Sequence, residues 1–427
     1  MNVSSCEGER SIHLATQQTI SNAASIWSTR TAKSLGLNRN VGVLALSVFG
    51  LALGEELWQA YMPKYLVGLG ASGFIVGVFA SCKDLLDGLY QYPGGWVNDR
   101  FGRKQALMVF TLTAMAGYLF YMLAYHWVDL FIGLMLVMAW KSGAFPATFA
   151  IIGEALPRGK RAIAFSLQSI LARLPRVVSA PLGGLLIVGF GLIVGIRVAV
   201  AITLVLAFVV FIVQRWTYRE SSVQSVEYSH VPAREVFKRM PLSIKQLLLA
   251  DCLVRIGEGI AAAFIVLYVT DVLGFSVTTF GVLYAIQQSV AIALYLPSGK
   301  LADLTGRKPL VALTFVFFAL FPLTVSWSSS FAALVAAFVV GGLKEMGEPA
   351  RKSIIVDLAD PAQRGRTVGV YYAIRNLLVV PGGTLGGLLW SRAPQLPLYV
   401  ACGVGMLGVV VFLLNSKGGD RFEMGHA

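Results

Sequence analysis

Charged side chains stand inside stretches otherwise built from Ala, Val, Leu, Ile and Phe, and they are the residues whose types and spacing could do chemistry. They include Glu55, Glu56, Lys83, Asp84, Asp87, Lys141, Arg173 and Arg176 in the first half of the chain. Arg255, Glu258, Lys344, Glu345, Glu348, Arg351 and Arg375 follow in the second. At the centre of a bilayer each ionised group costs at least ~2.5–3.5 kcal/mol on insertion scales, so such residues pair, bind something charged, or carry protons. Glu55 and Glu258 are the first candidates for proton transfer. A carboxyl in apolar surroundings is pushed toward its neutral form by desolvation and pulled back by nearby cations. Glu55 has no basic residue within one helical turn; Glu258 has Arg255 three residues before it, which leaves a permanent ion pair as a second reading. Asp84 is a further proton-carrier candidate. Lys83 and Asp87 are four apart on one helical face, the spacing of an intrahelical pair.

The cations offer a second kind of chemistry. Lys344, Glu348 and Arg351 are spaced four and three apart and are expected to stack along one face of a helix, leaving one positive charge over. Arg173, Arg176 and Arg375 have no acid on the same turn. Guanidinium groups in that position can hold a carboxylate or phosphate with two parallel hydrogen bonds. Arg173, Arg375, Lys141, Lys344, Glu348, Arg351 and Arg255 are therefore the candidate substrate-binding residues, with salt bridges across the bundle as the alternative reading for the arginines. Trp58, Tyr61, Tyr90, Tyr92, Trp140, Phe145, Tyr371 and Tyr372 interleave with these charges; packing is the common use of such aromatics, and lining an amphiphilic cavity the other.

Other chemistries find little support. His13, His126, His230 and His426 fall in tails or loops, and no nucleophile–base pair is recognisable, so no enzymatic activity is expected. There is no phosphate-cradling Gly-x-x-x-x-Gly-Lys-Ser/Thr sequence, which argues against ATP drive within this chain. Cys6, Cys82, Cys252 and Cys402 are far apart and lack metal or redox spacing. No cofactor or metal is expected. The formal charge is +13, but the basic residues form neither a patch nor a basic-aromatic stripe, so nucleic acid is not an expected partner. They fall between the apolar runs, where anionic lipid headgroups lie.

The elements that must position these residues follow from hydropathy. The chain has 427 residues, is 56% hydrophobic and only 13% charged, with mean hydropathy +0.70, whereas soluble domains carry about a quarter charged residues. Apolar runs of about 20 residues read as membrane-spanning helices. Twelve are expected, near 41–66, 73–94, 105–126, 130–156, 162–190 and 192–214, then 246–270, 279–298, 309–327, 331–358, 367–390 and 398–415. Residues 1–40 read as a polar tail without a signal peptide, 215–245 as a linker with a short surface helix near 231–240, and 416–427 as a second tail. Lys and Arg concentrate in alternate loops, with Arg392 the exception, which puts both tails and the linker in the cytoplasm.

The second half repeats the first. Gly95-x-x-x-Asp99-Arg100-x-Gly102-Arg103-Lys104 returns as Gly299-x-x-x-Asp303-x-x-Gly306-Arg307-Lys308. Gly54-Glu55 matches Gly257-Glu258, Lys141 matches Lys344, and Glu154 matches Asp357, at offsets of 203 or 204 residues. Arg173 and Arg375 match at 202. The fold class is thus an all-α membrane protein with twelve spans in two pseudo-symmetric six-helix bundles, 41–214 and 246–415, around a central cavity.

Twelve spans, a cytoplasmic mid-loop and this motif after the second and eighth helices resemble the major facilitator superfamily, over roughly residues 41–415. The resemblance implies a monomeric secondary transporter of the cell (inner) membrane, working by alternating access on a small-molecule substrate, with proton coupling. It also implies that the motif loops, through Asp99, Arg100, Arg103, Asp303 and Arg307, help hold the cytoplasmic gate shut. Ala180-Pro181-Leu182-Gly183-Gly184 half matches the Gly-Pro-rich motif common in antiporters of that family. A small organic solute with an anionic or amphiphilic part is the expected cargo; a non-transporting membrane sensor and a facilitative uniporter are the competing readings.

Overall fold

The computed structural model describes residues 39–101, 103–155, 161–217, 233–359 and 364–416. Within these, side chains are described except at 39–42, 44–45, 91–101, 103, 142–155, 161–172, 296, 299–300, 302–305, 364–365 and 416. The described residues are helical almost throughout and form twelve columns. In the first half these are α1 (Arg39–Glu55 continuing as Met62–Gly68), α2 (Gly73–Phe101), α3 (Arg103–Leu123), α4 (Trp127–Ala155), α5 (Arg161–Phe190) and α6 (Leu192–Thr217). The second half has α7 (Leu242–Ala262 continuing through Phe264–Leu267 to Val272), α8 (Val277–Thr305) and α9 (Arg307–Ser326). It closes with α10 (Phe331–Leu343, then Glu348–Leu358), α11 (Arg364–Val379, then Pro381–Trp390) and α12 (Leu396–Ser416). Seven of the described helices are long and apolar enough to cross a membrane by length and composition. Leu112, Leu123, Val188, Val205 and Leu414 point outward and exposed, as side chains facing lipid do. In the connection between halves, Ala233–Arg239 forms a short helix whose Val236 is buried.

The packing repeats as the sequence does. α1 packs on α6, α2 on α4, and α3 on both α4 and α6; α7 packs on α12, α8 on α10, and α9 on both α10 and α12. Across the halves α2 lies along α11 and α5 along α8, two contacts that exchange under the same repeat. Small residues permit the approach. A Cβ on Gly77 would fall 2.8 Å from the Cα of Gly387, and one on Gly184 2.7 Å from the Cα of Thr278. Gly183 presses on the Leu57 backbone. The half-matched Pro-Gly-Gly sequence is therefore where α5 meets both α1 and α8. At the end opposite the linker, Lys64 of α1 bridges to Asp271 of α7 and hydrogen-bonds Thr270 at 3.1 Å.

Three columns are broken where proline removes a hydrogen-bond donor. Pro63 and Pro349 each stand at the start of the second segment of α1 and α10, and Pro381 starts the second segment of α11. α10 departs from the single continuous face expected for Lys344, Glu348 and Arg351. Its turn at 344–347 is held by the Gly347 N–H donating to Thr314 Oγ1 at 2.7 Å, and it sends Lys344 one way and Glu348 with Arg351 another.

The repeated motif also differs from the loop its glycines suggest. α2 runs on to Phe101 and α8 to Thr305, so most of each copy is helix. In the second copy Gly306 alone separates α8 from α9, at φ 83 and ψ 154, a conformation open to glycine and strained for other residues.

Candidate functional site

A cavity of about 400 Å³ lies between the halves, lined from α1 to α5 on one side and α7 to α10 on the other. Its walls combine rings, among them Trp58, Tyr121, Phe280, Phe321 and Phe338, with charged groups. The breaks in α1 and α10 bring Glu56 and Glu345 to this surface.

Every lining cation has a carboxylate partner. Lys141 pairs with Glu55 at 3.0 Å, joining α4 to α1, and Lys344 pairs with Glu258 at 2.7 Å, joining α10 to α7. These are the two halves of one repeated bridge. Glu55 also accepts the Tyr118 hydroxyl hydrogen bond, and Lys141 donates to Gln59 as well. Arg176 reaches Glu56 at 2.9 Å. Arg173 crosses from α5 to α10, with Glu345 at 2.9 Å and Gln288 of α8 at 3.1 Å, and lies over the Tyr295 ring. Lys83 pairs with its neighbour Asp84 at 3.0 Å. The cation for Glu55, absent within one turn of its own helix, thus comes from another helix. For Glu258 the Arg255 pair is present at 2.7 Å, and Lys344 adds a second cation.

Arg375 does not share the cavity with Arg173. It belongs to a second cluster, centred on Asp251 of α7, which is fully buried. Arg351 bridges Asp251 and Glu348, Tyr371 donates to Asp251 at 2.9 Å, and Arg255 reaches Glu348 at 3.5 Å. Arg375 lies over the Tyr372 ring, with its nearest carboxylate oxygen, on Asp251, 3.8 Å away. Of the substrate-binding candidates, then, Lys141, Arg173 and Lys344 face the cavity, whereas Glu348, Arg351 and Arg375 gather around Asp251. Arg255 links the two groups.

Asp251 was not among the sequence candidates. Asp251 with Arg255 four residues on, 3.9 Å away, was the available signal, but its nearer partners Arg351 and Tyr371 come from two other helices. Tyr118 and Gln288 gave no signal at all, because neither residue type is unusual in a helix of this composition.

For the repeated motif, Gly95, Asp99, Arg100, Gly102, Arg103, Gly299 and Asp303 lie outside the residues whose side chains are described, or outside the described residues altogether. Lys104, Gly306 and Lys308 are described and half-buried. Arg307 at the start of α9 pairs with Asp357 near the end of α10, so this part of the second copy is tied to a neighbouring helix.

A bundle of apolar helices that encloses a charged, ring-lined cavity between two repeated halves defines a membrane carrier. The Major Facilitator Superfamily model matches residues 41–250 and again 247–423, and the chain belongs to that family. It is a transporter, a multi-pass membrane protein acting on a small molecule. It is 24% identical over 403 residues to the multi-drug resistance efflux pump PmrA homolog of Lactococcus lactis subsp. lactis, covering 90% of this chain and 94% of that one. It is 24% identical over 377 residues to the multidrug resistance protein MdtG of Yersinia enterocolitica, covering 84% and 88%. Among solved structures, the nucleoside transporter NupG superposes with a TM-score of 0.72 at 14% identity, covering 90% of this chain and all of that one, a likeness of fold.

Proposed function

We propose that the chain exports a small amphiphilic organic solute by alternating access, driven by protons. The observation that carries this reading is the cavity itself. Its volume of about 400 Å³ falls in the range of drug-sized ligand sites, which are mostly apolar with a few placed polar groups. Because each lining cation already holds a carboxylate, an entering solute meets rings and exchangeable ion pairs rather than a net charge. A positive headgroup competes for Glu56 or Glu345, and a negative one for Arg173 or Arg176. Export rests on the two relatives named as multidrug resistance and efflux proteins.

Proton coupling is assigned to Glu55, with Glu258 and Asp84 as the other carriers. Glu55 is buried, held by one Lys and one hydroxyl. Protonation would release Lys141 and loosen α4 from α1. Residues 41–214 and 246–415 act as the rocking halves and 215–245 as their cytoplasmic linker, in a chain that works as a monomer in the cell membrane. Asp99, Arg100, Arg103, Asp303 and Arg307 hold the linker-side gate.

The test is transport in proteoliposomes across a panel of cationic, neutral and anionic amphiphiles, with and without a pH gradient. Gradient-dependent movement of amphiphiles of either sign is the expected result. Movement confined to a hydrophilic solute, or movement with no response to the gradient, would overturn it.

A further inference from the structure

We propose that the Asp251 cluster forms an anion-binding site separate from the central cavity, with Arg375 as its principal ligand and a carboxylate or phosphate group as its occupant.

Charge balance is the first observation. Among the described residues, the buried Lys344 and Arg351 and the half-buried Arg255 and Arg375 are cations gathered in the second half, and only Asp251, Glu258 and Glu348 face them. Lys352, which also reaches Glu348, is 54% exposed and adds to the excess. Arg375 is the cation left short. Its closest carboxylate lies beyond hydrogen-bond distance at 3.8 Å, and its other contacts are the Asn376 side-chain oxygen at 3.1 and 3.4 Å and the face of Tyr372. Its side chain keeps 16% of its accessible surface.

Unsatisfied donors supply the second. Among the described residues, Nε of Arg351, a residue 2% exposed, Nε of Arg255 and the Tyr372 hydroxyl are buried with no hydrogen-bond partner. Buried polar groups are rarely left so, because each costs its full desolvation. An oxyanion beside Arg375 would supply the missing charge and bring acceptors to a group that now has only donors to spare.

The repeat supplies the third. At the 203-residue offset, Asp251, Arg255, Glu348 and Arg351 correspond to Val48, Ala52, Phe145 and Thr148. The first half therefore has no counterpart of these four residues. The cluster also sits apart from the cavity. Asp251 lies about 14 Å along α7 from Leu242, and Glu258 about 10 Å farther, at 1.5 Å per residue. The inference stands independently of which solute the cavity takes.

The occupant is either a free inorganic oxyanion or the anionic tail of a transported solute, and the two are separable. Purified full-length protein is titrated in chloride-free buffer with inorganic phosphate, and separately with dodecanoate, following the melting transition and calorimetric heat. The site predicts saturable binding of at least one probe that weakens tenfold or more in Arg375→Gln, recovers in part in Arg375→Lys, and persists in Arg173→Gln. Phosphate binding identifies a free ion, and binding of dodecanoate alone a solute tail. Binding equally strong in wild type and Arg375→Gln, binding lost in Arg173→Gln instead, or no binding of either probe to a well-folded wild type would each overturn the proposal.

Discussion

Glu55 and Lys141 close a 3.0 Å ion pair between α1 and α4, and 203 residues later Glu258 and Lys344 close the same pair at 2.7 Å between α7 and α10. The repeat has kept the bridge but changed its surroundings. Glu55 has a Tyr118 hydroxyl beside it, whereas Glu258 has the Arg255 guanidinium. One carboxylate is paired with a single cation and the other with two.

Removing one member of a buried pair strands the other, at ~3–5 kcal/mol for full burial. Lys141 is 27% exposed, so Glu55→Ala should cost less, about 2 kcal/mol. The double variant Glu55→Ala/Lys141→Ala should be more stable than Glu55→Ala alone, measured as melting temperature in detergent. A double variant no better than the single would show that the pair is not what holds α1 to α4.

Arg173→Gln should free Glu345 and make the cavity more acidic. Affinity for a cationic amphiphile should rise, and affinity for an anionic one of the same apolar body should fall, each by several-fold. Direct binding to purified protein checks this. Unchanged affinities for both would return Arg173 to a structural tie between α5 and α10.

Gly77→Val places a branched side chain where even a Cβ would lie 2.8 Å from the Gly387 backbone. The halves should separate at the end opposite the linker and break the Lys64–Asp271 bridge. In a background without the four native cysteines, a Thr270→Cys reporter should then label faster with a membrane-impermeant maleimide. Equal labelling with and without Gly77→Val would argue against α2 and α11 closing that end.

Asp357→Asn removes the partner of Arg307 at the boundary of α9 and α10, where both side chains are well exposed. Exposed pairs contribute about 0–1 kcal/mol, so stability should barely change. Labelling of a cysteine introduced into the cavity lining, in the same cysteine-free background, should nonetheless increase from the linker side, because the tie between motif and neighbouring helix is lost. A large fall in melting temperature with no change in labelling would make the pair structural rather than gating.

The twelve columns and their duplication were legible because both are written into one-dimensional patterns: apolar runs of membrane length and a fixed offset between halves. Partnerships were less so. Lys83 closes a 3.0 Å pair with the adjacent Asp84, a partner that helical spacing does not single out. Glu55 looked unpaired because its cation stands on α4, and spacing within one helix says nothing about its neighbours. Asp251 escaped for the same reason, since Arg351 and Tyr371 reach it from α10 and α11. The separation of Arg375 from Arg173, despite their near-matched positions, goes with a difference between the halves: Arg375 meets a buried acid where the first half has Val48.

The most direct measurement is uphill movement of a fluorescent amphiphile in proteoliposomes under an imposed pH gradient, for wild type and Glu55→Gln. The amide keeps the shape of the side chain but cannot carry a proton. Wild type should concentrate the dye against its gradient, while Glu55→Gln should lose that ability and retain exchange at equal pH. Gradient-driven accumulation in Glu55→Gln equal to wild type would contradict the assignment of coupling to Glu55.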